Sequence, residues 1–121
     1  MLTRSAYAHE AVITMQPEGD VRAPGAAITV ALCGHWNHEP PCPIAPHHTQ
    51  VARTGNEVRI RTLFAVEPGA EQLVRQRIDH ALSRGELQGP DSVITRWQVV
   101  TTESSEVTVE ERDHAARLIG S

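Results

Sequence analysis

Ala27-Ile28-Thr29-Val30-Ala31-Leu32-Cys33-Gly34-His35-Trp36 is the stretch on which the reading of this fold turns. Ile28, Val30 and Leu32 alternate with Thr29, Ala31 and Cys33, and period-two alternation predicts a strand. In a strand, Cys33 and His35 fall on one face and Leu32, Gly34 and Trp36 on the other. Two metal-ligating side chains would then point together from one strand end.

The chain passes from there into a segment of unusual chemistry. The sixteen residues from Cys33 to His48 hold both cysteines, four of the seven histidines and four of the eight prolines. Thiolate and neutral imidazole are the donors that suit zinc best. Prolines lower the entropy lost when a loop is ordered around an ion. The candidate ligands are Cys33, His35, His38, Cys42, His47 and His48. A tetrahedral ion needs four of them, or three and a water. Cys33, His35, Cys42 and one of the neighbouring pair His47 and His48 form the preferred set, since adjacent residues diverge. Glu39 and Trp36 are candidates for the surrounding shell, as a proton acceptor and as a cover that excludes water. Zinc fits two thiolates and two imidazoles best, with copper(I) and iron as alternatives. The two methionines, Met1 and Met15, stand outside the cluster and lend copper no support. A disulfide between Cys33 and Cys42 is the competing use of the sulfurs.

Several catalytic patterns fail by inspection. His38-Glu39-Pro40-Pro41-Cys42 lacks the second histidine of His-Glu-x-x-His, and its prolines would break the required helix. Pro41-Cys42-Pro43-Ile44-Ala45 lacks the second cysteine of a zinc deaminase. No phosphate-cradling glycine loop ending in lysine is present, because the chain contains no lysine. Three function classes therefore stand. The first is a metal-binding protein with a structural, carrier or sensor role. The second is a metalloenzyme with an open coordination position, and the third a homodimeric interaction module.

Around this segment the rest of the chain reads as ordinary secondary structure. Tyr7–Met15 is a strand candidate with Ala11, Ile13 and Met15 on one side, and 16–25, with two prolines and two glycines, is a turn. Glu57–Glu67 alternates most clearly, with Val58, Ile60, Thr62, Phe64 and Val66 on one face and Arg59 and Arg61 on the other. Thr54-Gly55-Asn56-Glu57 is a hairpin turn that would pair Gln50–Arg53 with it. Glu71 opens a helix with Leu73, Val74, Ile78, Ala81 and Leu82 as its apolar stripe, and Gly85 ends it. Val93–Thr101 is a further strand, with Trp97 a core residue. Thr108 and Glu111 have capping-box spacing, predicting a terminal helix with Val109, Ala116 and Ile119 inward. His9, His80 and His114 read as isolated solvated or capping residues, and Arg59 and Arg61 as a solvated face.

The expected architecture is a single α+β domain over 1–121. It has a mostly antiparallel sheet of about four strands, two helices on one face, and the 33–48 metal loop between strands. The segment 57–101 implies one right-handed crossover. A net charge of −4 argues against a nucleic-acid partner. The longest apolar run, Ala26–Cys33, is far short of the roughly 20 residues that span a bilayer. The amino terminus lacks a signal-peptide core, so the chain is expected in the cytoplasm, where thiols stay reduced.

Overall fold

The computed structural model describes residues 3–33, 45–89 and 92–120, with Cys33 described by its backbone alone. His35, Trp36, His38, Glu39 and Cys42 lie outside the described residues. The elements run β1 (Ser5–Met15), α1 (Arg22–Cys33), β2 (His47–Thr54), β3 (Glu57–Val66), α2 (Glu71–Ser83), β4 (Glu86–Gln88), β5 (Ile94–Ser105) and α3 (Arg112–Ile119). The fold is α+β, with five strands and three helices among the described residues.

The sheet order is β2-β3-β1-β5-β4, and every neighbouring pair is antiparallel. β1 and β2 therefore run parallel with β3 inserted between them, and β3 and β5 run parallel with β1 between. Two β-α-β units interleave in this way, the split arrangement of ferredoxin-like topology. β1 sits at the centre and carries the register: Ala11 faces Ile60 on one side and Thr102 on the other. The ladder to β5 shifts between Val12 and Ile13, whose partners are Thr101 and Val99, leaving Val100 as the extra residue of a β-bulge.

The segment expected as a strand at Ala27–Trp36 is the helix α1 as far as Cys33. Its buried residues Ala23, Ala27, Ile28 and Leu32 follow a spacing of four, one and four, a helical stripe that lies within the same letters as the alternation. The helix also starts inside the expected 16–25 turn. Asp20 Oδ1 accepts from the Arg22 N–H at 2.9 Å, a capping bond that begins the helix. Pro24 falls in the first turn, where a missing N–H costs least. The cysteine- and histidine-rich segment consequently follows a helix and precedes a strand, and the alternation expected through Cys33 does not hold.

The hairpin β2–β3 forms as its turn predicts, with Thr54 opposite Glu57 and Gly55 at φ 62°. Arg53 fastens the neighbouring loop by donating to the carbonyls of Gly55 at 2.8 Å and Gln16 at 2.7 Å. Val58, Ile60, Phe64 and Val66 join Ile13, Ile28, Leu32, Val74, Ile78, Leu82 and Trp97 in the main core. Each large side chain there contributes about 1.5–3 kcal/mol of burial. Gly85 takes φ 73°, and a Cβ on it would meet the Trp97 carbonyl at 3.0 Å. The helix can therefore end against β5 only with glycine at that position. Trp97 returns the contact by donating Nε1–H to Leu82 O at 2.9 Å.

The helices do not share one face. α1 and α2 cover the main core, while α3 packs on the other side of the sheet against Ala8, Leu63 and Ala65 through Leu118. Its inward residues are Ala115 and Leu118, not Val109, Ala116 and Ile119; Val109 is 67% exposed. The short β4 was not expected at all. The capping box of Thr108 and Glu111 is present, but Glu111 has a second partner. Arg61 Nε and Nη2 donate to its two carboxylate oxygens at 2.8 Å each, and Arg61 also reaches Ser105 and Glu10. Arg61 is thus a docking residue for α3 rather than part of a solvated face.

The Arg61 guanidinium pulls the Glu111 carboxyl down to about 2 from an ordinary 4.5. A depressed carboxylate contributes stability that is present above the unfolded value and lost as pH falls toward the folded one. With solvent screening allowed for, the pair contributes on the order of 2 kcal/mol. Glu111→Gln should lower Tm at pH 7, and the gap to the native chain should close between pH 4.5 and 2. A pH-independent gap in calorimetry would assign the loss to the cap alone.

Candidate metal centre

β2 delivers His47 and His48 to opposite faces of the sheet, as adjacent strand residues must be. His47 opposes Phe64 and turns toward α1, where its Nε2 lies 3.1 Å from Thr29 Oγ1. Its Nδ1 lies 3.1 Å from the Ala45 carbonyl. A carbonyl only accepts, so the ring proton sits on Nδ1, and Nε2 presents its lone pair to the Thr29 hydroxyl. A ring oriented by Nδ1–H on a backbone carbonyl with Nε2 facing outward is the usual setting of a metal-binding histidine.

Cys33 follows Thr29 by four residues in the same helix, so the two positions stand one turn apart on one side of α1. The fold therefore brings the backbone of one expected sulfur ligand to the neighbourhood of the His47 imidazole, although fourteen positions separate them in the chain. A cavity of about 320 Å³ opens here, with Gly25, Thr29, His47 and Thr49 in its lining. Thr49 Oγ1 is buried there without a hydrogen-bond partner among the described residues. The cavity wall is therefore polar on the β2 side, with the Thr49 hydroxyl two residues from the His47 imidazole on the same strand face.

His48 also borders this cavity, but its ring has another partner. Its ring packs on His114 of α3, with centroids 4.3 Å apart and planes inclined by 50°. Burial first, then the charge of His114, hold the His48 imidazole below its ordinary value of 6.5. The contact between β2 and α3 is thus at full strength above that value and weakens as protons add below it. His47 turns to α1 and His48 to α3, so the two rings have different partners. Among the described residues no group of three or more histidine, cysteine or carboxylate side chains converges as a metal site. The remaining expected donors, His35, His38 and Cys42, belong to 34–44.

Sequence reasoning missed a second cluster of titratable groups. His9, expected to be solvated, is 4% exposed on β1. Arg75 of α2 donates Nη1–H to His9 Nδ1 at 3.0 Å and to the Ala8 carbonyl at 2.7 Å. A guanidinium never accepts, so His9 carries its proton on Nε2 and donates it to Asp79 Oδ1 at 2.8 Å. Arg75 is held in turn by Glu71 at 2.8 Å and lies over the rings of Phe64 and Tyr7. Both nitrogens of His9 are engaged. The cluster fastens α2 to β1. The sequence signal was there in outline: Arg75 falls at the border of the α2 stripe, and His9 shares the inward parity of Ala11 and Ile13.

No protein-family model matches the chain, and no curated protein sequence matches it. The functional reading therefore rests on these side chains.

The two rings make opposite tautomers, which is directly measurable. Long-range proton–nitrogen NMR correlation at pH 7.5 in metal-free protein should show His47 protonated on Nδ1 and His9 on Nε2. An Nε2–H tautomer at His47 would contradict the assignment of Nε2 as the acceptor of the Thr29 hydroxyl.

Proposed function

We propose that this protein binds one zinc ion through His47 Nε2 and the Cys33 thiolate, with further donors drawn from His35, His38 and Cys42. The observation that carries the reading is the His47 ring. It is oriented by a backbone carbonyl, directs its Nε2 lone pair to the Thr29 hydroxyl of α1, and sits beside the helix turn that leads to the backbone of Cys33. His47 supplies one oriented donor on a regular element; Cys33 and the proline-rich segment after it are proposed to supply the others. Zinc suits a shell of mixed sulfur and imidazole better than the harder divalent ions do.

The role this supports best is structural. An ion held between the end of α1 and the start of β2 closes the loop 33–47 and transfers its binding free energy to the folded state. The Thr29 hydroxyl, which now occupies the His47 lone pair, turns away when the ion binds. Glu39 and Trp36 are proposed as neighbours of the ion rather than as ligands.

Elemental analysis of protein purified without chelator tests the assignment. The native chain should carry about one zinc per chain. His47→Ala and Cys33→Ser should each weaken binding beyond the 10- to 100-fold typical of losing a mere supporting group, and should lower Tm only in the presence of zinc. His48→Ala should keep full stoichiometry, and Thr29→Ala should bind at least as tightly as the native chain. Unchanged zinc in both His47→Ala and Cys33→Ser would refute the site.

A further inference from the structure

The other flank of α1 carries a feature that the zinc reading does not use. A cleft of about 860 Å³ runs between α1, α2 and β4, within the roughly 300–1,000 Å³ typical of small-molecule sites. Ala27, Val30 and Ala31 form its α1 wall, and Leu73, Leu87 and Ile94 add to it from the other elements. α1 carries no charged side chain after Arg22, so this wall is apolar along its length. Leu73 and Ile94 are 49% and 42% exposed at the cleft, although Leu73 belongs by spacing to a stripe whose other members are buried.

α2 supplies the opposite chemistry along the same cleft. Arg77, His80 and Arg84 recur at intervals of three and four, so they form one exposed row, and all three line the opening. Arg75, two residues before Arg77 and on the opposite side of α2, is held by Glu71, His9 and the Ala8 carbonyl. Arg77 and Arg84 make no ion pair and no side-chain hydrogen bond among the described residues. Glu86 is the carboxylate in the described lining, which leaves two guanidinium groups facing one acid. Arg77 and Arg84 lie about 10 Å apart along the helix axis, a span that two long flexible side chains can close on one anionic group. Guanidinium forks match carboxylate oxygens in geometry as well as in charge.

We infer that this cleft binds a small amphipathic carboxylate, with its unbranched apolar tail along Ala27, Val30, Ala31 and Leu73 and its head group between Arg77 and Arg84. The two ends of the cleft differ in the same sense as the two ends of such a molecule. Binding would cover the exposed side chain of Leu73 and neutralise part of the Arg77–Arg84 charge. The site is separate from the zinc centre, which lies on the β2 side of α1.

Titration of the intact protein with hexanoate, octanoate and decanoate, followed by calorimetry and methyl NMR, tests this. Saturable one-to-one binding is expected, tightening about fourfold per added methylene until the cleft is filled. Methyl shifts should centre on Val30, Leu73 and Ile94. Decanol, with the same tail and no charge, should bind at least tenfold more weakly than decanoate. Arg77→Gln combined with Arg84→Gln should erase that preference while leaving Tm unchanged, and His47→Ala should bind decanoate as the native chain does. Equal binding of decanol and decanoate, retention of the preference in the double variant, absence of saturable binding, or occupation of the cleft by a second copy of the chain in sedimentation would each overturn the inference.

Discussion

A single buried guanidinium sets the relation between the sheet and its principal helix. Arg75 is 7% exposed, yet it is paired with Glu71 on its own helix and bonded to the Ala8 carbonyl and to His9 on β1. A cation placed there without those partners would cost several kcal/mol. Sliding α2 by one turn along β1 would remove all the partners on β1 at once, so the charge specifies register more sharply than the surrounding aliphatic contacts can. Tyr7 and Phe64, whose rings stack at 5.5 Å beneath the guanidinium, complete the seat. With aromatic residues only 3% of the composition, two of the four are committed to this point.

The places where local pattern and tertiary demand agree are the ones legible from sequence. In β3 the alternation is unambiguous because every second residue meets the main core. The Gly55 turn, the α2 stripe, the Gly85 stop and the Thr108 capping box each have a local physical cause. α1 is different. Ile28, Thr29 and Val30 are β-branched and alternate with small or apolar neighbours, so the letters satisfy a strand template. Ala23, Ala27, Ile28 and Leu32 satisfy a helical one equally well, and no charged residue after Arg22 marks an outer face. The decision came from outside the segment: Asp20 caps the first turn, and α2 offers a wall that alanines can approach closely. Neither is visible in a window of ten residues.

The candidate site was legible in its chemistry and less so in its geometry. The concentration of cysteine and histidine is a property of the sequence, and the divergence of His47 and His48 follows from strand parity alone. Which of the two turns toward Thr29 of α1 needed the fold, because it depends on which side of the sheet α1 covers. His9 and His114 were misjudged for the same reason. An isolated histidine looks solvated until the strand or helix opposite it is known. Here Arg75 and Asp79 meet His9, and His48 meets His114.

The two flanks of α1 carry different chemistry. Toward β2, Thr29 meets the His47 imidazole at 3.1 Å, and Gly25 lets the helix approach the Thr49 side chain closely. The same helix keeps its other flank uncharged, and α2 brings the cations to that side.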